Sequence, residues 1–161
     1  KTVVAAAGVN SVVSALVGLP LLSPQVLGST FIPDMNLAAA DQIGWQRYVE
    51  QIDQVATEHG IDTVVTSNYG EAGALDRYAP HLSIFSAQNA LYDRGHPHED
   101  PVVFVGMQLP AAARYFAECA VVATLDNQVG VGNEEQGAPV AICRHLNGTW
   151  ESLWPKLKHL D

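Results

Sequence analysis

Residues 61–78, IDTVVTSNYGEAGALDRY, join a short apolar run to an amphipathic segment. The run IDTVV predicts a buried strand, and the segment after it predicts a helix whose inward residues are Ala72, Leu75 and Tyr78. The stretch TSNYG therefore lies in a strand-to-helix turn, which is where open α/β sheets usually present ligand-binding groups. This arrangement predicts an α/β fold.

The same alternation of apolar runs and amphipathic segments continues along the chain. A helix is predicted from Trp45 to a stop at His59-Gly60, because apolar residues recur there at helical spacing. Further strands are predicted at residues 82–86, 101–106, 119–125 and 138–143, with a helix from Pro110 and a short terminal helix capped by Thr149. We interpret the pattern as a Rossmann-like three-layer domain with a mainly parallel sheet covered on both faces.

Length and charge limit the function classes. The 161 residues fit one domain of ordinary size. The net charge is −9, and the chain holds only 8 Lys and Arg residues, which form no run. Nucleic-acid binders need clustered basic side chains to displace counterions, so we expect no nucleic-acid partner.

The first 22 residues form an apolar segment. No charged residue occurs between Lys1 and Asp34, and residues 2–22 have about the length that crosses a bilayer core. One interpretation is the end of the last transmembrane helix of a longer protein, with the following domain outside the membrane. The alternative is a buried strand at residues 3–7, a turn, and a buried helix through Val17. Residues 23–40 read as a connector, and residues 41–161 as a soluble α/β domain.

The turn motif has a structural explanation that needs no ligand. Asn68 can cap the helix while Glu71, three residues later, returns a bond to the Asn68 backbone, as in a capping box. Gly70 and Gly73 are not explained by the cap, because each costs roughly 1 kcal/mol of helix propensity relative to alanine. We expect these glycines to allow a close approach of other groups. The motif is not GxGxxG, and Glu71 would repel a phosphate.

Other candidate sites are weaker. His96 and His98, followed by Glu99 and Asp100, have metal-ligating side chains but no third ligand at a suggestive spacing, so we expect no metal and no cofactor. No motif assembles a nucleophile with a base, and we name no catalytic residue.

The two cysteines, Cys119 and Cys143, lie on two predicted strands. Pairing of those strands would bring the cysteines within disulfide distance. We expect the disulfide to form if the domain lies outside the cell. In a cytosolic protein both thiols would stay reduced.

Two blocks are distinctive together: NYGEAGALDRYAP at residues 68–80, and GVGNEEQGAPVAICR at residues 130–144, with WESLWPKLKHLD at the end. They resemble the carboxy-terminal soluble region of actinobacterial membrane glycosyltransferases related to the dolichyl-phosphate-mannose protein mannosyltransferases. The resemblance implies a longer protein that transfers a sugar from a polyprenyl-phosphate carrier outside the membrane. It also places the catalytic acid of such enzymes outside this chain. One departure is the loop at residues 86–92, which lacks the histidine and most of the aromatic residues of that family.

The leading hypothesis is an extracytoplasmic accessory domain whose two strand-following loops form one polar rim. Amide and carboxylate side chains suit sugar hydroxyls, and Tyr69 or Tyr92 is suited to stack on a sugar face. The predicted ligand-binding residues are Asn68, Tyr69, Glu71, Asn133, Glu134 and Gln136. The expected partners are a glycan or lipid-linked sugar, the membrane domain of the longer chain and, as an option, a second copy of this chain.

Two alternatives stay open. One is a non-catalytic scaffold with an apolar surface around Trp150 and Trp154 or the first twenty residues. The other is a free-standing cytosolic α/β hydrolase or nucleotide binder.

Overall fold

A computed structural model describes residues 2–160 of the chain. The helices are α1 (Thr2–Gly18), α2 (Pro24–Leu27), α3 (Ile32–Met35), α4 (Leu37–Ala40), α5 (Trp45–His59), α6 (Tyr69–Tyr78), α7 (Leu109–Ala112) and α8 (Trp150–Leu157). The strands are β1 (Thr63–Thr66), β2 (Ser83–Ser86), β3 (Val102–Val105), β4 (Phe116–Thr124) and β5 (Pro139–Leu146). Two 3₁₀ helices span Asn89–Arg94 and Ala113–Tyr115.

The five strands form one mixed sheet in the order β2-β1-β3-β5-β4. Strand β1 pairs in parallel with β2 and β3, whereas β5 pairs antiparallel with both β3 and β4. The α/β class is confirmed, but half of the sheet departs from the mainly parallel prediction. Residues 125–138 join β4 to β5 as a loop. Neighbouring parallel strands need a crossover, usually a helix, so this loop produces an antiparallel pair.

Alternate residues of the central strands pack into two separate core clusters. Val64 and Val103 contact a cluster that includes Ile52 of α5 and Leu75 of α6. Val65 and Phe104 contact a second cluster that includes Leu153 of α8. Because successive strand residues point to opposite faces, α5 and α6 pack on one face of the central strands and α8 packs on the other.

The two tryptophans of α8 belong to the core. Trp150 and Trp154 are both buried, and their rings make an edge contact with centroids 6.3 Å apart. Of the two apolar surfaces that the scaffold alternative named, the one around Trp150 and Trp154 is therefore not exposed, because α8 turns its aromatic side towards the sheet.

Helices α5 and α6 match their predicted positions, but one residue of α6 that was predicted to be buried is exposed. Helix α5 ends at Gly60, which adopts a left-handed conformation with φ 64°. Ala72 and Leu75 of α6 are buried as predicted, but Tyr78 is 46% exposed. Helix α6 ends at Tyr78, and the following residue, Ala79, takes the buried position instead.

The apolar start of the chain is one continuous helix. Helix α1 has 17 residues, none of them buried, so the alternative of a buried strand followed by a turn was wrong. Within residues 2–160, no helix is both long enough and apolar enough to cross a membrane. The connector contains the three short helices α2 to α4, and Leu27, Ile32 and Ala40 pack there against Val131 of the loop before β5.

A disulfide joins Cys119 of β4 to Cys143 of β5. The two residues are direct partners in the antiparallel ladder. The predicted disulfide is therefore present, between neighbouring strands as expected.

Candidate functional site

The two loops that were predicted to form a rim meet at one edge of the sheet. Strands β1 and β3 end at this edge, and β5 begins there because it runs in the opposite direction, pairing Val140 with Val105. The loop before β5 therefore lies beside the turn after β1. A hydrogen bond joins them, with Asn68 Nδ2 donating to Glu135 Oε1 at 3.2 Å.

Two adjoining cavities lie at this edge, and we call them together the rim. The first has a volume of about 180 Å³, and its lining includes Ser67, Asn68, Glu71, Gln108, Glu134 and His159. The second has a volume of about 240 Å³, and its lining includes Asp41, Trp45, Asn68, Tyr69, Glu134 and Glu135. Four of the predicted ligand-binding residues thus lie together: Asn68, Tyr69, Glu71 and Glu134.

The amino terminus of α6 positions three of these residues. Asn68 Oδ1 accepts a hydrogen bond from the Glu71 backbone N–H at 2.8 Å. Glu71 Oε2 accepts from the backbone N–H groups of Ser67 at 2.7 Å and Asn68 at 3.2 Å. The predicted capping box is confirmed. Tyr69, between them, is 68% exposed and projects its ring from the first turn of α6.

Glu71 is a buried carboxyl with an unusual proton affinity. Burial raises the pKa of Glu71 to about 8, although the two backbone N–H bonds act in the opposite direction. The nearby carboxyls of Glu135 and Glu134 raise this pKa further. Glu71 therefore holds a proton at neutral pH in the folded chain.

Glu135 is the second buried carboxyl of the rim, with only 3% of its surface exposed. One oxygen accepts from Asn68, whereas Glu135 Oε2 is buried and has no hydrogen-bond partner among the described residues. Burial raises the pKa of Glu135, and the charges of Glu134 and Asp41 add to the effect. A buried oxygen without a partner is uncommon in folded proteins and needs an explanation.

Asn133 and Gln136 lie beside the rim, but their polar atoms are used within the fold. Asn133 Nδ2 donates to the backbone oxygens of Ala40 and Ile43, at 3.1 and 2.9 Å. Asn133 Oδ1 accepts from the Tyr48 hydroxyl at 2.8 Å. Gln136 Oε1 accepts from the same hydroxyl at 3.3 Å, and Gln136 Nε2 donates to Asp126. These two side chains fasten the loop to α5 and to the connector, which positions Glu134 and Glu135.

Two glycines allow close approaches at the rim. A Cβ at Gly70 would lie 2.7 Å from Trp45 Cη2, so the absent side chain lets the indole ring lie against α6. Gly106 has φ 95°, and a Cβ there would meet Glu71 Oε1 and Ser67 Oγ. Gly73 differs, because no atom lies within 4 Å of the position its Cβ would take. Nothing in the structure explains Gly73.

In the loop after β2, the Tyr92 ring is already in contact with other side chains of the chain. Tyr92 stacks on Trp154 with ring centroids 6.1 Å apart, and Lys158 Nζ lies 4.2 Å from the centre of the Tyr92 ring. The stacking role that was suggested for Tyr92 is therefore not supported by its position.

His96 and His98 contact each other edge to face, with centroids 5.0 Å apart. Across residues 2–160 no group of three or more His, Cys, Asp or Glu side chains is arranged to hold a metal ion.

Several rim residues were missed by the sequence analysis. Trp45 was assigned to the core of α5, and Glu135 was passed over beside Glu134. His159 comes from the end of the chain, where its Nε2 lies 2.7 Å from the Ser67 carbonyl oxygen. No local pattern distinguishes these residues, since their place depends on contacts between distant segments. The loop itself was singled out by its polar residues, in the stretch GVGNEEQG.

Comparison with protein-family models, with curated proteins and with solved structures found no match to this chain. Its relation to membrane glycosyltransferases stays a prediction from the two sequence blocks.

Proposed function

We propose that this chain is the extracytoplasmic accessory domain of a membrane glycosyltransferase, and that its rim binds the glycan or sugar acceptor. The observation that carries the binding proposal is the meeting of two polar loops around two adjoining cavities, with the exposed Tyr69 lining the second. Membership in a glycosyltransferase rests on the sequence resemblance.

The chemistry of the rim suits a sugar better than the phosphate of a carrier lipid. Gln108 contributes an amide group, and the Asn68 amide nitrogen has a second hydrogen beyond the one it donates to Glu135. Tyr69 supplies an accessible aromatic face. The carboxylates of Glu134 and Asp41 line the cavities, and their negative charge disfavours a phosphate. We therefore assign the rim to the sugar and leave the carrier phosphate to the membrane part of the longer protein.

The proposed location rests on two features. The exposed apolar helix α1 is expected to be the end of the last membrane segment of the longer protein. The disulfide is typical of proteins in oxidising compartments and argues against the cytosolic hydrolase or nucleotide binder. For the parallel half of the sheet, the Rossmann-like three-layer arrangement is retained as a proposal.

The test compares two tyrosines of the same helix. Calorimetric titration of the chain with neutral mannose oligosaccharides should give saturable binding. Tyr69→Ala should weaken it by about tenfold, since an aromatic contact contributes roughly 0.5–1.5 kcal/mol beyond its area. Tyr78→Ala, at the other end of α6 and also exposed, should leave the affinity unchanged. Equal effects of the two substitutions, or no binding by the unmodified chain, would reject the sugar site.

A second candidate is a scaffold that packs on the membrane domain or on another copy of the chain. The exposed valines and Leu16 of α1 favour it, because apolar helix faces without cover usually mark interaction surfaces. In that case the rim would have no ligand affinity, and the capping box alone would account for Asn68 and Glu71.

A further inference from the structure

The rim concentrates acidic side chains, and none of the described lysines or arginines lines either of its cavities. Glu134 lines both cavities, and Asp41 and Glu135 line the second. Among the described residues, the ion pairs are Arg47 with Glu50, His81 with Asp53, and Arg94 with Asp76. None of them involves an acid of the rim. Mutual repulsion of these acids costs free energy that a cation would recover.

A separate observation points to a missing partner. Glu135 is almost completely buried, lines the second cavity, and has an oxygen without a hydrogen bond among residues 2–160. Leaving such an acceptor unsatisfied costs about 1–3 kcal/mol, and more for a charged group. A ligand that brings both a positive charge and N–H donors would satisfy this oxygen.

Aromatic rings identify the kind of cation. Trp45 and Tyr69 line the same cavity as Asp41 and Glu135. Aromatic faces attract ammonium groups through cation–π interactions, whereas metal ions take shells of oxygen and nitrogen ligands. The combination of carboxyls with indole and phenol rings therefore fits an ammonium group.

We propose that the second cavity binds a sugar that carries a free primary amine, with the ammonium group between Glu135, Glu134 and the rings of Trp45 and Tyr69. This inference rests on the proposed function, because it specifies the class of sugar that the rim takes. The hydroxyls of the sugar bind the neighbouring amide groups, and its ammonium group supplies the charge and the donors that Glu135 lacks.

The experiment uses two sugars that differ only in whether their nitrogen is a free amine or is acetylated and therefore uncharged. The whole chain is titrated with the glucosamine trisaccharide and with the N-acetylglucosamine trisaccharide, at one pH and ionic strength at which the free amine is protonated. The proposal expects the amine form to bind at least about tenfold more tightly, which corresponds to about 1.4 kcal/mol. Added salt should reduce this preference, because it depends on charge.

Matched variants locate the effect. Glu135→Gln keeps the shape and the acceptor for Asn68 but removes the charge, and it should reduce the preference for the amine to less than about threefold. Glu58→Gln, an exposed acid of α5 away from the rim, should retain the full preference. If Glu135→Gln does not fold, Glu134→Gln is the substitute, because Glu134 is exposed and lines the same cavity. Removing its negative charge should also lower the preference for the amine sugar.

Each result decides a separate question. Equal affinity for the two trisaccharides overturns the amine site but leaves sugar binding intact. A preference that survives both Glu135→Gln and Glu134→Gln also overturns it. If trilysine, which carries amines but no sugar, binds as tightly as the glucosamine trisaccharide, the specificity for a sugar is overturned. If neither trisaccharide and no neutral mannose oligosaccharide binds, the proposed function itself fails.

Discussion

At the scale of single residues, Glu71 shows how one side chain serves structure and site together. Its carboxyl accepts two backbone N–H bonds at the start of α6 and is buried beneath the first cavity. These bonds favour the charged form, and burial favours the neutral form more strongly. Gly106 helps to confine this carboxyl, since any side chain there would displace it.

The raised pKa of Glu71 predicts a pH-dependent stability. The folded chain keeps the Glu71 proton up to about pH 8, whereas the unfolded chain releases it near its ordinary value of 4.5. Unfolding therefore releases a proton between these values, and the contribution of Glu71 to stability falls as pH rises, by about 1 kcal/mol per pH unit. Glu71→Gln should remove this slope, as measured by urea unfolding at pH 5, 6, 7 and 8.

The control for this prediction is Glu58→Gln, which removes an exposed carboxyl of α5. Its stability should follow that of the unmodified chain at every pH. If the unfolding free energies of Glu71→Gln and of the unmodified chain change with pH in the same way, Glu71 is already ionised at neutral pH.

At the scale of elements, the β4–β5 pair places the loop that carries Glu134 and Glu135. The pair is fastened by its ladder and by the disulfide between directly opposed residues. At the rim end, Gln51 of α5 holds the same loop by bonding both the oxygen and the nitrogen of the Asp126 backbone, at 2.8 and 3.0 Å. The loop therefore has defined attachments at the strands and at a helix.

The disulfide should contribute to stability through the unfolded chain. The closed loop spans a sequence separation of 24 residues, and the Cys119→Ala/Cys143→Ala double variant should lose about 3 kcal/mol of unfolding free energy. Guanidinium denaturation measures this loss. Reducing agent should destabilise the unmodified chain by a similar amount and leave the double variant unaffected. Sensitivity of the double variant to reductant would show that another effect is being measured.

At the scale of the whole molecule, α1 stands apart from both core clusters. None of its residues is buried, and its described attachment includes a hydrogen bond from Asn36 Nδ2 to the Val17 oxygen at 2.9 Å. Its apolar side chains are exposed, among them Val3, Val4, Val9, Val12 and Val13. Such a helix contributes little to folding and offers a large apolar surface to a membrane or another protein.

Removal of residues 1–18 tests this separation. The shortened chain should keep its unfolding free energy within about 0.5 kcal/mol, because α1 has no buried residue. It should also lose binding to phosphatidylcholine vesicles in a co-sedimentation assay. A double variant, Val9→Lys/Val12→Lys, keeps the helix while breaking its apolar surface and should lose vesicle binding to a similar extent. A large loss of stability on truncation would show that α1 belongs to the folded core.

The sequence by itself determined the features that depend on neighbouring residues. Periodicity located α5 and the apolar runs located the strands, because burial repeats at the period of each element. The capping box at Asn68 and Glu71 was predicted because its bonds span only three residues. The α/β class follows from the order of these elements.

Tertiary structure decided what depends on distant contacts. The antiparallel course of β5, the burial of Glu135, and the arrival of His159 at Ser67 join segments that are far apart in the chain. Asn133 was predicted from its polarity to face a ligand, but its amide binds the connector and Tyr48 instead. Polarity alone does not distinguish a side chain that binds a ligand from one that fastens a loop, because both need the same hydrogen-bonding groups.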